Sequence, residues 1–171
     1  MRRMRFWLTA AAGLVVALGL PGAGRSADQG ARLHFAADGD KIITSISYDD
    51  LKAICDAEGY KPQDSKDADG DPSLLLNMGT YKVAVLIYGK NEHHSLGLQS
   101  NFKMDNPPSY QDINAWNVDK RYSRAYRGEQ RISIEMDLDL EGGVTPAAVA
   151  RWLSRFNTQL PDFAKHIHYP A

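Results

Sequence analysis

Across residues 131–140 the chain alternates without a break: Ile132, Ile134, Met136, Leu138 and Leu140 fall at every second position, with Arg131, Ser133, Glu135, Asp137 and Asp139 between them. Successive side chains of an extended strand point to opposite faces, so this run has one dry side and one wet side. A strand of that kind belongs to a sheet with a covering layer on one face. The cover is legible further on, where Val149, Trp152, Leu153, Phe156 and Leu160 recur at spacings of three and four, the stripe of a helix lying on a sheet. Thr145 is placed to cap that helix and Pro146 to fill its first turn. Pro161 predicts a break or kink, with a short helical tail over residues 162–167 packing Phe163.

The remaining elements follow from caps and turns. Ser47 and Asp50 predict a helix start, with Ile46 and Leu51 spaced as a hydrophobic staple, and Gly59 predicts its end. A strand is expected at residues 60–63, then an acidic turn-rich stretch. Residues 73–78 and 81–88 read as a hairpin about Gly79-Thr80, and residues 95–102 as a further strand. After Pro107-Pro108, Ser109 caps a two-turn helix that turns Ile113 and Trp116 inward, and Asn117 is expected to end it in the left-handed conformation. A strand over residues 121–127 then turns at Gly128-Glu129 into the alternating run. Burial of two aromatic rings favours the register with Tyr122 and Tyr126 inward, Arg121 outward near Asp137, and Arg124 inward beside a partner. The order α-β-β-β(β)-α-β-β-α is an α+β fold: an antiparallel sheet of about five strands with helices packed on it.

The amino terminus predicts an address. MRRMRF is basic, and the fourteen apolar residues WLTAAAGLVVALGL stop at Pro21, short of the roughly 20 needed to cross a bilayer. The pattern is that of a secretory signal peptide over residues 1–26, followed by a flexible mature amino terminus over residues 27–41 and one domain over residues 42–171. The expected location is periplasmic or secreted, with no membrane embedding after cleavage. Cleavage after Ser26 removes four of the 20 basic residues and none of the 21 acidic ones, leaving a formal charge of −5. That balance argues against nucleic acid, whose phosphates call for clustered cations. Cys55 is the single cysteine. It shares a predicted helical face with Leu51 and reads as a buried, inert thiol.

No grouping of residues spells out a reaction. Asp67, Asp69 and Asp71 resemble the start of a calcium loop, but Pro72 stands where its Gly belongs and Met78 where its bidentate Glu belongs. The adjacent His93 and His94 would point apart on an extended chain, and His166 and His168 have no third ligand in view. A metal or cofactor is therefore not expected. Glu135, Asp137 and Asp139 share a wet strand face, where spacing by two is what alternation produces, and a serine-nucleophile elbow is missing.

The run INAWNVDKRYSRAY, together with LDLEGGVT, resembles the signature of the YbjN-like domain, also described as a putative bacterial sensory transduction regulator. The similarity extends over roughly residues 42–167, and Asn114, Trp116, Asn117, Arg121, Arg124, Tyr126, Gly142, Gly143 and Thr145 occupy its motif positions. The resemblance implies a fold like that of type III secretion chaperones, often dimeric, binding polypeptide partners and without established enzymatic activity. The chain departs from it in the signal peptide and in His93-His94. The expectation is an exported, non-enzymatic binding module, chaperone-like or regulatory, that recognises a polypeptide client through its sheet and nearby loops, as a homodimer. The motif residues are expected to serve structure, with Trp116 between helix and sheet. The competing expectation is a small periplasmic hydrolase with an unrecognised acid/base site.

Overall fold

The computed structural model describes residues 41–89, 93–129 and 131–170; the expected signal peptide and almost all of the expected mature amino terminus lie outside them. Among the described residues, three helices and six strands follow in the order α1 (Tyr48–Ala57), β1 (Gln63–Lys66), β2 (Pro72–Met78), β3 (Tyr81–Tyr88), β4 (Ser95–Lys103), α2 (Tyr110–Asp119), β5 (Arg124–Arg127), β6 (Arg131–Asp139) and α3 (Pro146–His166). This is the expected α+β order, with six strands rather than about five. They form one antiparallel sheet in the spatial order β1-β2-β3-β4-β6-β5.

The sheet joins a four-strand meander, β1 to β4, to a hairpin. In the meander, Met78 pairs with Tyr81 across Gly79-Thr80, and Gly79 takes φ +62°, a backbone state open to Gly at no steric cost. The hairpin joins β5 to β6. Between them β4 and β6 zip together over nine residue pairs, from Ser95–Asp139 to Lys103–Arg131. That ladder is long in sequence separation, so α2 and β5 form an excursion that returns the chain to the sheet's far edge.

One face of the sheet is dry. Leu74, Leu76, Val83, Val85, Leu96, Leu98, Ile132 and Ile134 have no exposed surface there, and Met136 nearly none. Against them lie Leu51, Ile54 and Cys55 of α1, Ile113 and Trp116 of α2, and Val149, Leu153, Phe156, Leu160 and Phe163 of α3, all buried. The cysteine sits as the sequence predicted, and burial pushes its thiol up to about 12, with Asp56 and Glu58 adding to the effect. Phe102 anchors an aromatic cluster, its ring centroid 5.5 Å from Phe163 and 4.9 Å from Tyr169.

Four local expectations are corrected. The strand after α1 is Gln63–Lys66, not residues 60–63: Tyr60 and Lys61 complete the turn after α1, Gly59 at φ +84° and Lys61 at φ +49°. The helix α3 continues through Pro161 to His166. Its apolar stripe runs on without a phase change through Leu160, Phe163 and Ala164, all buried, so burial on both sides outweighs the loss of one backbone bond. Asn117 lies inside α2, which ends two residues later at Asp119. The β5 register is the opposite of the expected one: Ala125 pairs with Ile134 and is buried, while Tyr126 faces outward opposite Ser133. Arg124 also faces outward, paired with Glu135, and Arg121 precedes the strand instead of lying beside Asp137.

Candidate functional site

The motif segment is the corner where α2 hands the chain to β5. Ser109 opens α2 with a reciprocal capping box: its hydroxyl accepts from the Asp112 backbone N–H, and the Asp112 carboxylate accepts from the Ser109 N–H at 2.9 Å. The Ser109 hydroxyl also donates to that carboxylate at 2.7 Å, and this bond, followed by the backbone one, holds the Asp112 carboxyl below its ordinary range. Trp116 is 1% exposed and stacks edge-on against Phe163 at 4.9 Å. Its indole N–H donates to the buried Ser123 hydroxyl at 3.2 Å. One residue on, the Asn117 side chain accepts from the Ala125 N–H at 2.7 Å and donates to the Ala125 carbonyl at 2.9 Å. An amide in this arrangement replaces a neighbouring strand, because it satisfies both backbone groups that β5 turns away from β6.

That pairing explains the register. A Tyr at the inward position would have to fit beneath α2, where Ala125 is 4% exposed, and would displace the Trp116–Ser123 bond. Two rings on the surface cost less than the corner they would break. Of the other motif residues, Asn114 is exposed on α2 and Arg121 is exposed in the turn. Arg124 pairs with Glu135, and Tyr126 accepts from the Gln99 amide at 2.7 Å. Gly142 and Gly143 turn the chain from β6 toward α3, with Gly143 at φ +87° and so close to Ile42 that a Cβ would stand 2.7 Å from its methyl group. Thr145 caps α3 by accepting from the Ala148 N–H.

Between Trp116 and Ala125 the chain is pinned but strained. Tyr122 has φ +75°, which costs a non-glycine residue on the order of 1–3 kcal/mol. Bonds on either side enforce it: Gln159 of α3 donates to the Arg121 carbonyl at 2.9 Å, Ser123 holds Trp116, and Asn117 holds Ala125. The Tyr122 ring is 64% exposed with the Arg155 guanidinium 4.0 Å from its centroid.

The sheet's other face carries a second set of candidates. Leu75, Ala84 and Leu86 are half-buried there and Tyr88 is exposed, with pairs such as Leu75–Ala84, Ala84–Gln99 and Leu86–Gly97 setting them side by side. Tyr88 lies across Gly97: a Cβ at that position would stand 3.2 Å from the tyrosine ring and 3.4 Å from the Asp137 carboxylate. Partial burial raises the Tyr88 phenol, with Asp137 and Glu135 adding to the effect. Glu135 pairs with Arg124, and its side chain is only 12% exposed. Glu135 and Asp137 thus sit on the open strand face expected of them.

At the β1 end of the sheet a cleft of about 850 Å³ is lined by Tyr48, Asp64, Asp67, Asp69, Asp71, Tyr88 and His93 among others. Tyr48 donates to Asp64 at 3.0 Å and to the Ser73 carbonyl at 3.1 Å; desolvation and then the Asp64 bond raise its phenol to about 12. Lys52 and Tyr48 bond the Asp64 carboxylate and hold it below its ordinary range. Asp67 spends one carboxylate oxygen on the backbone N–H groups of Asp69 and Asp71, so the stretch that resembled a calcium loop is a turn closed on itself. His94 bonds the Thr44 carbonyl while His93 lines the cleft, and His166 bonds the Asp112 carbonyl at 2.7 Å in a shallow groove that His168 also lines. Among the described residues no three His, Cys, Asp or Glu side chains converge as metal ligands, and no helix is long and apolar enough to cross a membrane.

Residues 47–168 match a family model described as "YbjN: Putative bacterial sensory transduction regulator". No curated protein matches the chain.

Proposed function

This chain belongs to the YbjN family, and from that premise we propose that it is an exported, non-enzymatic binding module whose ligand is a polypeptide. The observation that carries the reading is the one-sided sheet. Helices cover one face, while the other presents a band of Leu75, Ala84, Leu86 and Tyr88 across neighbouring strands, framed by Gln99, Tyr126 and the Arg124–Glu135 pair. Apolar surface ringed by polar groups is the composition of a protein-binding face.

The motif residues support that face from behind. Trp116, Asn117 and Thr145 make contacts within the fold, and Asn117 closes the β5 edge to further strands. The carboxylates near the face do not form a convergent acid/base pair, since Glu135 is committed to Arg124. Export rests on the basic and apolar pattern of residues 1–26. A homodimer through the open face would bury roughly 1,200 Å² or more if specific.

Crosslinking in cells followed by mass spectrometry of the captured species tests the reading. Polypeptides joined to the protein in a periplasmic extract, with an intact mass lacking the first 24 to 31 residues, are the expected result. Turnover of an ester, peptide or glycoside panel, with no polypeptide captured, would overturn it in favour of a hydrolase.

A further inference from the structure

Three arginines are carried by the segments that adjoin at Tyr122, the turn after α2 and the first half of α3. Arg155 stacks on the exposed Tyr122 ring at 4.0 Å. Arg151 lies four residues earlier in α3 and therefore on the same helical face. Arg121, next to Tyr122, spends only its carbonyl on the fold, through Gln159. Among the described residues none of the three makes an ion pair, whereas their neighbours do: Lys120 is tied to Asp162 at 3.4 Å and Arg124 to Glu135.

The fold holds this corner at a cost. Tyr122 keeps a left-handed backbone although the residue stays 64% exposed. Strain kept at an exposed aromatic, flanked by unpaired cations, is the mark of a contact made with something outside the chain. Tyr and Arg are also the residues that dominate binding energy at protein interfaces.

We propose that this corner is an acceptor for an acidic peptide segment: Asp or Glu carboxylates paired with Arg121, Arg151 and Arg155, and an adjacent side chain packed on Tyr122. The inference rests on the reading of the protein as a polypeptide-binding module and names the chemistry and place of one contact. Guanidinium forks suit carboxylates, which they bind through two parallel bonds. A nucleic acid would need a longer track of cations than three, on a mature chain whose formal charge is −5. This patch is thus a local reversal of the molecule's overall sign.

Fluorescence anisotropy with labelled acidic, neutral and basic peptides of equal length, titrated with the mature protein, tests the assignment. The acidic peptide is expected to bind most tightly and to weaken as salt rises. R155Q and R121Q should each weaken it about tenfold. Y122G is the decisive variant, because glycine relieves the strained backbone: it should fold at least as stably as the wild type and still lose the acidic peptide. Equal affinity for that peptide in wild type, Y122G and R155Q overturns the proposal. So does binding to vesicles of anionic phosphatidylglycerol without binding to the acidic peptide, which would reassign the patch to a lipid surface. Preference for the neutral or basic peptide refutes this contact and leaves the polypeptide-binding reading standing, whereas failure to bind any polypeptide, here and in the crosslinking experiment, removes both.

Discussion

Asn117 holds Ala125 by both its backbone groups, so its contribution is separable by substitution. Asn117→Ala leaves two part-buried backbone groups unpaired and should cost about 1–3 kcal/mol. Asn117→Asp keeps the acceptor for the Ala125 N–H but sets a carboxylate against the Ala125 carbonyl, and should do no better. Both should also expose the β5 edge, so urea titration and light scattering together should show lower stability with more self-association. Trp116→Ala, emptying a site 1% exposed, should cost about 3–5 kcal/mol. If it melts like the wild type, the corner is not structural. Cys55 gives a pH test. Its thiol rises from 9.0 to about 12 in the fold, so the folded protein retains a proton that the unfolded chain releases. The resulting stability is full below about pH 9 and is lost as pH climbs toward 12. Urea midpoints of wild type should therefore fall more steeply over that window than those of Cys55→Ala, and a thiol reagent should label Cys55 only on unfolding.

At the scale of elements, what the sequence discloses depends on whether one short-range rule decides. The alternating run of β6, the stripe of α3 and the caps at Ser47, Ser109 and Thr145 are each fixed by local spacing, and each stands as expected. The β5 register turned on a comparison that local rules cannot make. Tyr126 offers more burial than Ala125, but the space beneath α2 is set by Trp116, and only the tertiary pairing of Asn117 with Ala125 reveals it. Pro161 is the same lesson in reverse, since the rule against proline was overridden by buried residues on both sides. It follows that Pro161→Ala should restore a backbone bond without altering the stripe, and raise stability by about 1–3 kcal/mol in chemical denaturation. A destabilised variant would mean that the proline shapes a bend the packing needs. The candidate surfaces were the least legible part. Arg121, Arg151 and Arg155 are 30 or more positions apart in part, and spacing says nothing about which of them finds a carboxylate.

For the whole molecule, the central asymmetry is between a helix-covered face, where Leu74 through Ile134 exclude water, and an open face whose apolar band is only half hidden. Asn117 clamps the β5 edge through the Ala125 backbone, while α1 ties to exposed β1 through the Asp64 side chain. The open face and the corner at Tyr122 are the surfaces proposed for a partner. The most direct measurement of that claim places a photo-crosslinking amino acid at position 86, in the middle of the open band, and at position 158 on the exposed side of α3 as a control. Illumination in cells should yield discrete polypeptide adducts from position 86 and none of them from position 158. The same adducts from both positions, or none from position 86 while the purified protein turns over a substrate, would contradict a binding module that works through its sheet.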